Sequence, residues 1–232
     1  SYANSGMNHG FLFIVISNKT MYEIELRITK KHRKAARAIA QKVISEIKPK
    51  YIVTITGENR TGKAATAHAL GVKLRKEGIK AKVIHMANYY KLSGKEREIE
   101  RLETNFTKVG PNELDWDKLN QNIADFKEGK KSIFPLRDGI NYQIDLLQVD
   151  FQEIEVLIIN GLYALYIDEA DLKVYIESTY EETIDEEPIP IGEQPDDVKK
   201  MVWIKEHAYV REQKNRANFF VDYTTNFEDY HL

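Results

Sequence analysis

The chain has 232 residues, 42% of them hydrophobic, which is enough for one sizeable buried core and ordinary for a single α/β domain. Its 34 basic and 36 acidic residues leave a net charge of −2, which gives no electrostatic case for a nucleic-acid or membrane partner. The sequence contains no cysteine, so we expect no disulfides and a reducing, cytoplasmic environment. The longest apolar run, Phe11 to Ile16, is too short to span a bilayer.

The first 29 residues are predicted to be an N-terminal extension, and residues 30 to 232 to be the main domain. Two β-patterned stretches in the extension, Phe11 to Ser17 and Met21 to Ile28, predict a pair of edge strands. Residues 30 to 47 carry apolar side chains at helical spacing and predict an amphipathic helix. We interpret the basic residues of that helix as a solvent-exposed face.

The most informative stretch is residues 51 to 70, YIVTITGENRTGKAATAHAL. A β-branched strand leads into Gly57, Gly62-Lys63 follows five residues later, and a helix then begins. Phosphate-binding loops have this order, because their glycines let backbone N–H groups surround a phosphate while the lysine reaches the outer phosphates. A tight turn without a ligand is the alternative, but the flanking strand and helix favour the phosphate loop. The residues expected to bind the ligand are Gly57, Asn59, Arg60, Thr61, Gly62 and Lys63.

The position at which such loops place a hydroxyl for Mg²⁺ is Ala64, so we expect Mg²⁺ binding to be weak or absent and assign no metal ligand. Thr61 or Thr66 could supply a hydroxyl instead, but Thr66 lies at the wrong offset on the following helix. The expected ligand is ATP or another phosphate-bearing molecule.

Strand and helix patterns alternate after the loop, which predicts a parallel sheet covered on both faces. The predicted strands are Ala81 to Met86, Glu155 to Ile159, Leu172 to Ile176 and Phe219 to Val221, and the predicted helices are Asp115 to Phe126 and about Asp197 to Ala217. Residues 177 to 198 differ from the rest because they contain nine acidic residues and neither Lys nor Arg.

Taken in order, these motifs resemble the uridine kinase and phosphoribulokinase group of P-loop kinases. The resemblance runs from about residue 30 to 225 and rests on GENRTGKA, VIHMANYYK, NFTKVGPNELDWDKL, IFPLRD, VLIINGLYALY and EHAYVREQKNRANFFVD. It implies an α/β, three-layer P-loop NTPase fold with a central, mainly parallel sheet. It also implies transfer of the γ-phosphoryl group of ATP to a hydroxyl of a nucleoside or another small metabolite, with Mg²⁺.

The same resemblance reveals four departures from the family pattern. An Asp that accepts the proton of the substrate hydroxyl is replaced by Ala87, an acidic residue at the end of the buried strand by Asn160, and the Mg²⁺-binding hydroxyl by Ala64. Where the family has a lid with arginines, this chain has the acidic stretch around Glu181 to Asp197. Since phosphoryl transfer depends on positioning and on charge neutralisation, these changes imply impaired catalysis.

Other residues are candidates for the remaining parts of a kinase site. Lys63 and Asp138 are the candidate catalytic residues, Asp138 being the weaker of the two because the expected base position is Ala87; the alternative for Asp138 is a turn residue beside Gly139. The candidate substrate pocket consists of Asn88, Tyr89, Tyr90, Arg137 and Tyr142. Tyr89 and Tyr90 either line this pocket or cap the sheet, and Arg137 favours a planar anionic partner over a neutral pyrimidine. His85 is interpreted as a packed core residue.

Two hypotheses remain open at this point. The first is a uridine kinase-like nucleotide- or anion-binding protein whose phosphotransferase activity is impaired. The alternative is an active ATP-dependent kinase of a nucleoside or other small hydroxylated metabolite. Neither predicts a nucleic-acid or membrane partner, and both allow a homo-oligomer.

Overall fold

The computed structural model describes residues 28–137, 144–179, 182 and 197–223. The helices in these ranges are α1 (Lys30–Glu46), α2 (Lys63–Lys76), α3 (Gly94–Glu103), α4 (Trp116–Lys127) and α5 (Asp197–Glu212). The strands are β1 (Tyr51–Thr56), β2 (Ala81–His85), β3 (Lys131–Arg137), β4 (Ile144–Asp150), β5 (Val156–Asn160), β6 (Leu172–Ile176) and β7 (Phe219–Val221).

Some of the predictions concern positions outside the described residues. These are the strand at Phe11 to Ser17, all but the last residue of the strand at Met21 to Ile28, the candidates Asp138 and Tyr142, and most of residues 177 to 198. The division of the chain into residues 1–29 and 30–232 therefore stays a prediction.

Five strands form a parallel sheet in the order β2-β5-β1-β6-β7. Val53 of β1 pairs with Ile158 of β5 on one side and with Leu172 of β6 on the other. Because the strands are parallel, their carboxyl ends and the loops that follow them meet at one edge of the sheet, where ligands of such folds bind. The predicted mainly parallel sheet is confirmed.

Helices and a small second sheet cover the two faces of the parallel sheet. On one face, Val53 and Ile55 pack in a core shared with Ile39 of α1 and Leu70 of α2. On the other face, Ile52 packs in a core that includes side chains of α4 and of the antiparallel pair β3–β4. This alternation of β1 side chains between two cores follows from the period of two in a strand, and it confirms the three-layer arrangement.

Among the helices and strands named above, α3 and the antiparallel pair β3–β4 are absent from the predictions. α3 buries none of its residues, so its apolar side chains produce no core pattern. One signal for it exists in the sequence: Ser93 and Glu96 form a capping box, in which the Ser93 hydroxyl accepts from the Glu96 N–H at 3.3 Å. β4 is largely exposed, which explains why no alternating apolar pattern marks it.

Several predicted boundaries differ from the structure, by one residue in β5 (Val156–Asn160) and α4 (Trp116–Lys127) and as follows in three further elements. The helix predicted over residues 30 to 47 ends at Glu46, and Ile47 is an exposed residue after it rather than a core position. Met86 begins a short 3₁₀ helix, Met86–Tyr89, instead of ending β2. The last predicted helix consists of α5 followed by a 3₁₀ helix, Gln213–Arg216. In the described part of the chain, no helix has the length and apolarity needed to cross a membrane.

Candidate phosphate site

The loop between β1 and α2 is shaped by its two glycines. Gly62 has a φ of +77°, and a Cβ at this position would lie 2.3 Å from Nε2 of His32. A Cβ at Gly57 would lie 2.8 Å from the hydroxyl of Thr61. Since the first helical hydrogen bond of α2 runs from Thr66 N to Gly62 O at 2.8 Å, the backbone N–H groups that precede Thr66 in the helix have no partner within it. The loop therefore offers the backbone donors that an anion requires.

Internal hydrogen bonds hold the loop in this shape. The hydroxyl of Thr61 donates to the carbonyl of Glu58 at 2.8 Å, and the ammonium of Lys63 donates to the same carbonyl at 2.5 Å. On the outer side, the hydroxyl of Tyr223 donates to the carbonyl of Thr61 at 3.0 Å. The predicted binding residue Lys63 thus begins α2 with its charge directed back to the loop.

The surroundings of Lys63 make its side chain less readily protonated. Burial lowers the pKa of Lys63 to about 8, and the nearby carboxylates of Glu206 and Glu58 oppose this shift. A cation in such a position gains strongly from a bound anion, because the anion replaces the lost hydration.

Helix α5 packs against the loop through two carboxylates. The amide of Asn59 donates to Oε2 of Glu206 at 2.5 Å, and Nδ1 of His207 lies 2.7 Å from Oε1 of Glu58. Glu58 and Glu206 are each only 5% exposed. Burial raises the pKa of Glu206, while Arg101 and the Asn59 amide act in the opposite direction.

Arg101 of α3 connects the same cluster to the turn before α4. Its Nε and Nη2 donate to the two oxygens of Glu113 at 2.6 and 2.8 Å, and Nη2 also lies 3.2 Å from Oε1 of Glu206. The bidentate pair fixes the guanidinium in one orientation. The loop, α3 and α5 are therefore joined at a single buried carboxylate, Glu206.

The residues at the metal position do not fit a Mg²⁺ ion held by a hydroxyl after the lysine. Ala64 has no oxygen in its side chain. The hydroxyl of Thr66 is fully buried and pairs with the hydroxyl of Tyr223 at 2.9 Å, so this threonine does not replace the missing ligand. Within the described ranges, no group of three or more His, Asp or Glu side chains is arranged to hold a metal ion.

The ends of β2 and β5 lie side by side near the loop, with His85 opposite Asn160 in the parallel register. The amide of Asn160 lies 2.8 Å from Nδ1 of His85 and donates to the carbonyl of Ile84 at 3.3 Å. Burial lowers the pKa of His85, while the contact with Asn160 opposes this shift. Beyond β2, Ala87 exposes only a methyl group. Neither position supplies a carboxylate that could accept a proton or bind a metal.

Three of the candidate pocket residues lie together beyond β2. The side-chain oxygen of Asn88 accepts from the backbone N–H of Arg137 at 3.4 Å, and the guanidinium of Arg137 donates to the carbonyls of Tyr90 and Lys91, the second at 3.1 Å. These contacts tie β3 to the segment after β2. One nitrogen of the Arg137 guanidinium is thus hydrogen-bonded to backbone carbonyls.

The two neighbouring tyrosines have different environments. Tyr89 is 2% exposed, belongs to the core that includes α4, and donates its hydroxyl to the side-chain oxygen of Asn122 at 2.8 Å. Tyr90 is partly buried, and the guanidinium of Arg97 lies 3.7 Å from the centre of its ring. Tyr89 is therefore a core residue, while Tyr90 lies at the edge of the same core.

Comparison with known proteins places this site in a family. The sequence model of the Phosphoribulokinase / Uridine kinase family matches residues 52–185, more than half of the chain. The chain belongs to this family. The match includes the phosphate loop and the ends of β2 and β5. Ala64, Ala87 and Asn160 therefore all lie within the residues that the family model covers.

Curated relatives with similar sequences are uridine kinases. The uridine kinase of Ureaplasma urealyticum is 26% identical over 140 residues, which cover 57% of this chain and 65% of that protein. The uridine kinase of Staphylococcus aureus is 30% identical over 131 residues, which cover 55% of this chain and 61% of that protein. The chain therefore matches less than two thirds of the length of these relatives.

A solved structure supports the fold over a longer stretch. The structure described as a possible uridine kinase from Bacillus stearothermophilus superposes with a TM-score of 0.59 and covers 82% of this chain and 98% of its own, at 17% identity. At this identity the likeness concerns the fold, which is the three-layer α/β arrangement of a P-loop kinase.

Glu206 and His207, which contact the loop, are not among the site residues predicted from the sequence. Glu206 and His207 lie on α5 between Trp203 and Val210, at the spacing of one helix face. A polar pair at core-facing positions was therefore visible in the sequence. What the sequence did not show is that Arg101, on the unpredicted α3, would meet Glu206 in space.

Proposed function

We propose that this protein binds a phosphate-bearing ligand, ATP or another, at the loop from Gly57 to Lys63, and that its ability to transfer a phosphoryl group is impaired. The intact loop supports the first part, because its glycines, its free helical N–H groups and Lys63 are the parts that bind phosphate. Membership of a kinase family supports a nucleotide or small-molecule ligand. We further propose a cytoplasmic location, in line with the composition of the chain.

The observation that carries the second part is the chemistry of Ala64, Ala87 and Asn160. All three are neutral side chains at positions that resemble the family's metal ligand, base and metal-side acid. Loss of a general base alone reduces rates by about 10² to 10⁴. Phosphoryl transfer needs its charged parts together, so the remaining parts do not compensate.

An active kinase of a nucleoside or other hydroxylated metabolite is the second candidate function. The similarity to curated uridine kinases favours it, at 30% identity for the Staphylococcus aureus protein. Asp138, which lies outside the described residues, would then be the candidate base.

The two candidates differ in how they respond to Mg²⁺ and to acceptors. We suggest calorimetric titration with ATP, ADP and inorganic phosphate, with and without Mg²⁺, together with an assay of ADP formation in the presence of uridine or cytidine. The impaired-catalyst proposal expects binding that Mg²⁺ does not strengthen, and no acceptor-dependent ADP. Tighter binding with Mg²⁺ and acceptor-dependent ADP would instead support the active kinase.

A further inference from the structure

Two aromatic side chains from outside the phosphate loop pack against Gly62. A Cβ at Gly62 would lie 2.3 Å from Nε2 of His32 and 3.2 Å from the hydroxyl of Tyr223. The two rings also contact each other edge to face, with their centres 5.5 Å apart. His32 belongs to α1 and Tyr223 follows β7, so both lie outside residues 52–185, which the family model matches. Family membership therefore assigns neither residue a role at the loop.

The hydroxyl of Tyr223 links the two sides of Gly62. It donates to the carbonyl of Thr61 at 3.0 Å and lies 2.9 Å from the hydroxyl of Thr66. Because a phenol hydroxyl has one hydrogen, which it donates to Thr61, the hydroxyl of Thr66 is the donor in the second contact. A chain of hydrogen bonds thus runs from the first turn of α2, through Tyr223, to the residue before Gly62.

The bond to Thr61 fixes the orientation of one peptide group in the loop. The peptide bond between Thr61 and Gly62 is planar and trans, so its C=O and its N–H point in opposite directions. Since the carbonyl is directed to Tyr223, the N–H of Gly62 is directed to the other side. Among the described residues this N–H has no hydrogen-bond partner, so it can donate to an anion bound by the loop.

The backbone at Gly62 needs such support to keep this orientation. Its φ of +77° lies in the left-handed region, and glycine adopts positive and negative φ about equally readily. Hydrogen bonds from Tyr223 and Thr66 therefore favour one of several orientations that the chain can adopt. His32 adds a fixed contact, because its Nδ1 accepts from the N–H of Thr29 at 3.2 Å and its ring packs against Tyr223.

We propose that Tyr223, held by Thr66, is a positioning residue of the phosphate site, and that its hydroxyl directs the N–H of Gly62 toward the bound anion. The inference rests on the proposed function and adds a residue to the same site. Tyr223 acts through the peptide group between Thr61 and Gly62 rather than by contact with the anion. The ring of His32 supports the ring of Tyr223 in this position.

The test compares the binding of inorganic phosphate to wild-type protein and to Tyr223→Phe by calorimetry. The variant keeps the ring that packs against His32 and removes the hydroxyl. Its affinity for phosphate should fall about three- to tenfold, the effect of losing one hydrogen bond. Tyr166→Phe is the matched control. Tyr166 is also partly buried and has a cation over its ring, Arg216 at 5.2 Å, but its hydroxyl contacts Glu212 at 3.3 Å instead of the loop.

The amide of Gly62 provides a readout that a purely structural role of Tyr223 would leave unchanged. In isotope-labelled wild-type protein, the NMR signal of this amide proton should move downfield when phosphate is added, because the N–H then donates to the anion. In Tyr223→Phe at saturating phosphate this shift should be smaller. The melting temperature of Tyr223→Phe should stay close to that of Tyr166→Phe.

The outcomes separate the role of Tyr223 from the proposed function. If Tyr223→Phe binds phosphate as tightly as Tyr166→Phe, or if its Gly62 amide responds to phosphate as in wild type, the inference is wrong and the proposed function stands. If wild-type protein binds neither inorganic phosphate nor ATP nor ADP, the proposed function itself fails.

A second variant decides the question should Tyr223→Phe fail to fold, as judged by its thermal melting. Thr66→Val keeps the branched shape of the side chain and removes the hydroxyl that donates to Tyr223. It should weaken phosphate binding and reduce the response of the Gly62 amide. Wild-type values for both measurements would overturn the inference.

Discussion

The phosphate loop and the ends of β2 and β5 lie at the same edge of the sheet, yet they differ in what the sequence retains. In the loop, Gly57, Gly62 and Lys63 are all present, and side-chain and backbone hydrogen bonds fix their arrangement. At the strand ends, Asn160 and Ala87 stand where the family pattern has carboxylates. The loop thus has the residues of the phosphate-loop pattern, while the strand ends have neutral side chains at the two positions compared.

This difference follows from how each region is built. The loop is part of the backbone between β1 and α2, and changes to its glycines would collide with His32 or Thr61. The strand ends tolerate change because Asn160 remains hydrogen-bonded to Ile84 and His85 without a negative charge. The shape of the loop therefore depends on its glycines, whereas the strand ends are held by hydrogen bonds that need no carboxylate.

Gly62→Ala should have the largest effect on phosphate binding by the loop. The substitution places a Cβ 2.3 Å from His32 at a φ of +77°, so we expect a loss of about 1 to 3 kcal/mol in stability and no detectable phosphate binding. Gly78→Ala is the control, because Gly78 has a φ of +84° but no neighbour within 4 Å of the added Cβ. Thermal melting and phosphate titration measure both. Equal phosphate binding by the two variants would show that the loop is not the binding site.

Lys63→Ala should have the next largest effect. It removes the cation that begins α2, and a hydrogen bond to a charged group is worth enough to reduce affinity about 10- to 100-fold. Lys73→Ala, on the same helix but paired with Glu77, serves as the control and should bind as wild type. Titration with inorganic phosphate gives both affinities. Unchanged binding by the Lys63 variant would remove the loop lysine from the proposal.

These predictions rest on elements that the sequence identifies well. β1, the loop, α2 and β5 carry strong local signals, because a continuous apolar strand, spaced glycines and an Ala-rich helix each have a clear pattern. The helix predicted from Asp115 also has its N-cap there, since the Asp115 carboxylate accepts from the Lys118 N–H at 3.0 Å. Local sequence patterns were therefore sufficient to predict these elements.

The carboxylate cluster could not be predicted in the same way. Arg101, Glu113 and Glu206 are far apart in the sequence and meet only because α3 and α5 pack beside the loop. An Arg on a helix is normally solvent-exposed, so no local pattern indicated that Arg101 would be largely buried beside Glu113 and Glu206. Long-range packing of charged residues is what sequence patterns fail to show.

The pH dependence of anion binding gives a smaller effect that isolates the charge of Lys63. Its pKa of about 8 lies below the usual 10.5, so the free protein loses this charge as pH rises through 8. Sulfate, whose own charge is constant, should therefore bind about tenfold more weakly at pH 9 than at pH 7. Lys63→Arg should flatten the profile, because arginine stays charged. An unchanged sulfate affinity across this range would contradict the lowered pKa.

The same pKa predicts how stability changes with pH. Between pH 8 and 10.5 the unfolded chain binds a proton at Lys63 that the folded chain does not. Stability therefore receives a contribution that increases with pH across this window. Chemical denaturation of wild type and Lys63→Met at several pH values isolates this contribution, which should be absent from the variant. Parallel profiles for the two proteins would contradict it.

Single reversions at the substituted positions should have the smallest effect. Ala64→Thr, Ala87→Asp and Asn160→Asp each restore one part of a site whose parts act together, so each alone should leave phosphorylation of uridine or cytidine negligible. Asn160→Asp also loses the donor to Ile84. Even the triple variant should have low phosphotransferase activity, since residues 177 to 198 lack the arginines of the family's lid. An assay of ADP formation checks the series, with Lys63→Ala as the background. Turnover by the unmodified protein at about 1 to 100 per second, the usual range of kinases, would show that the substituted strand ends still support catalysis.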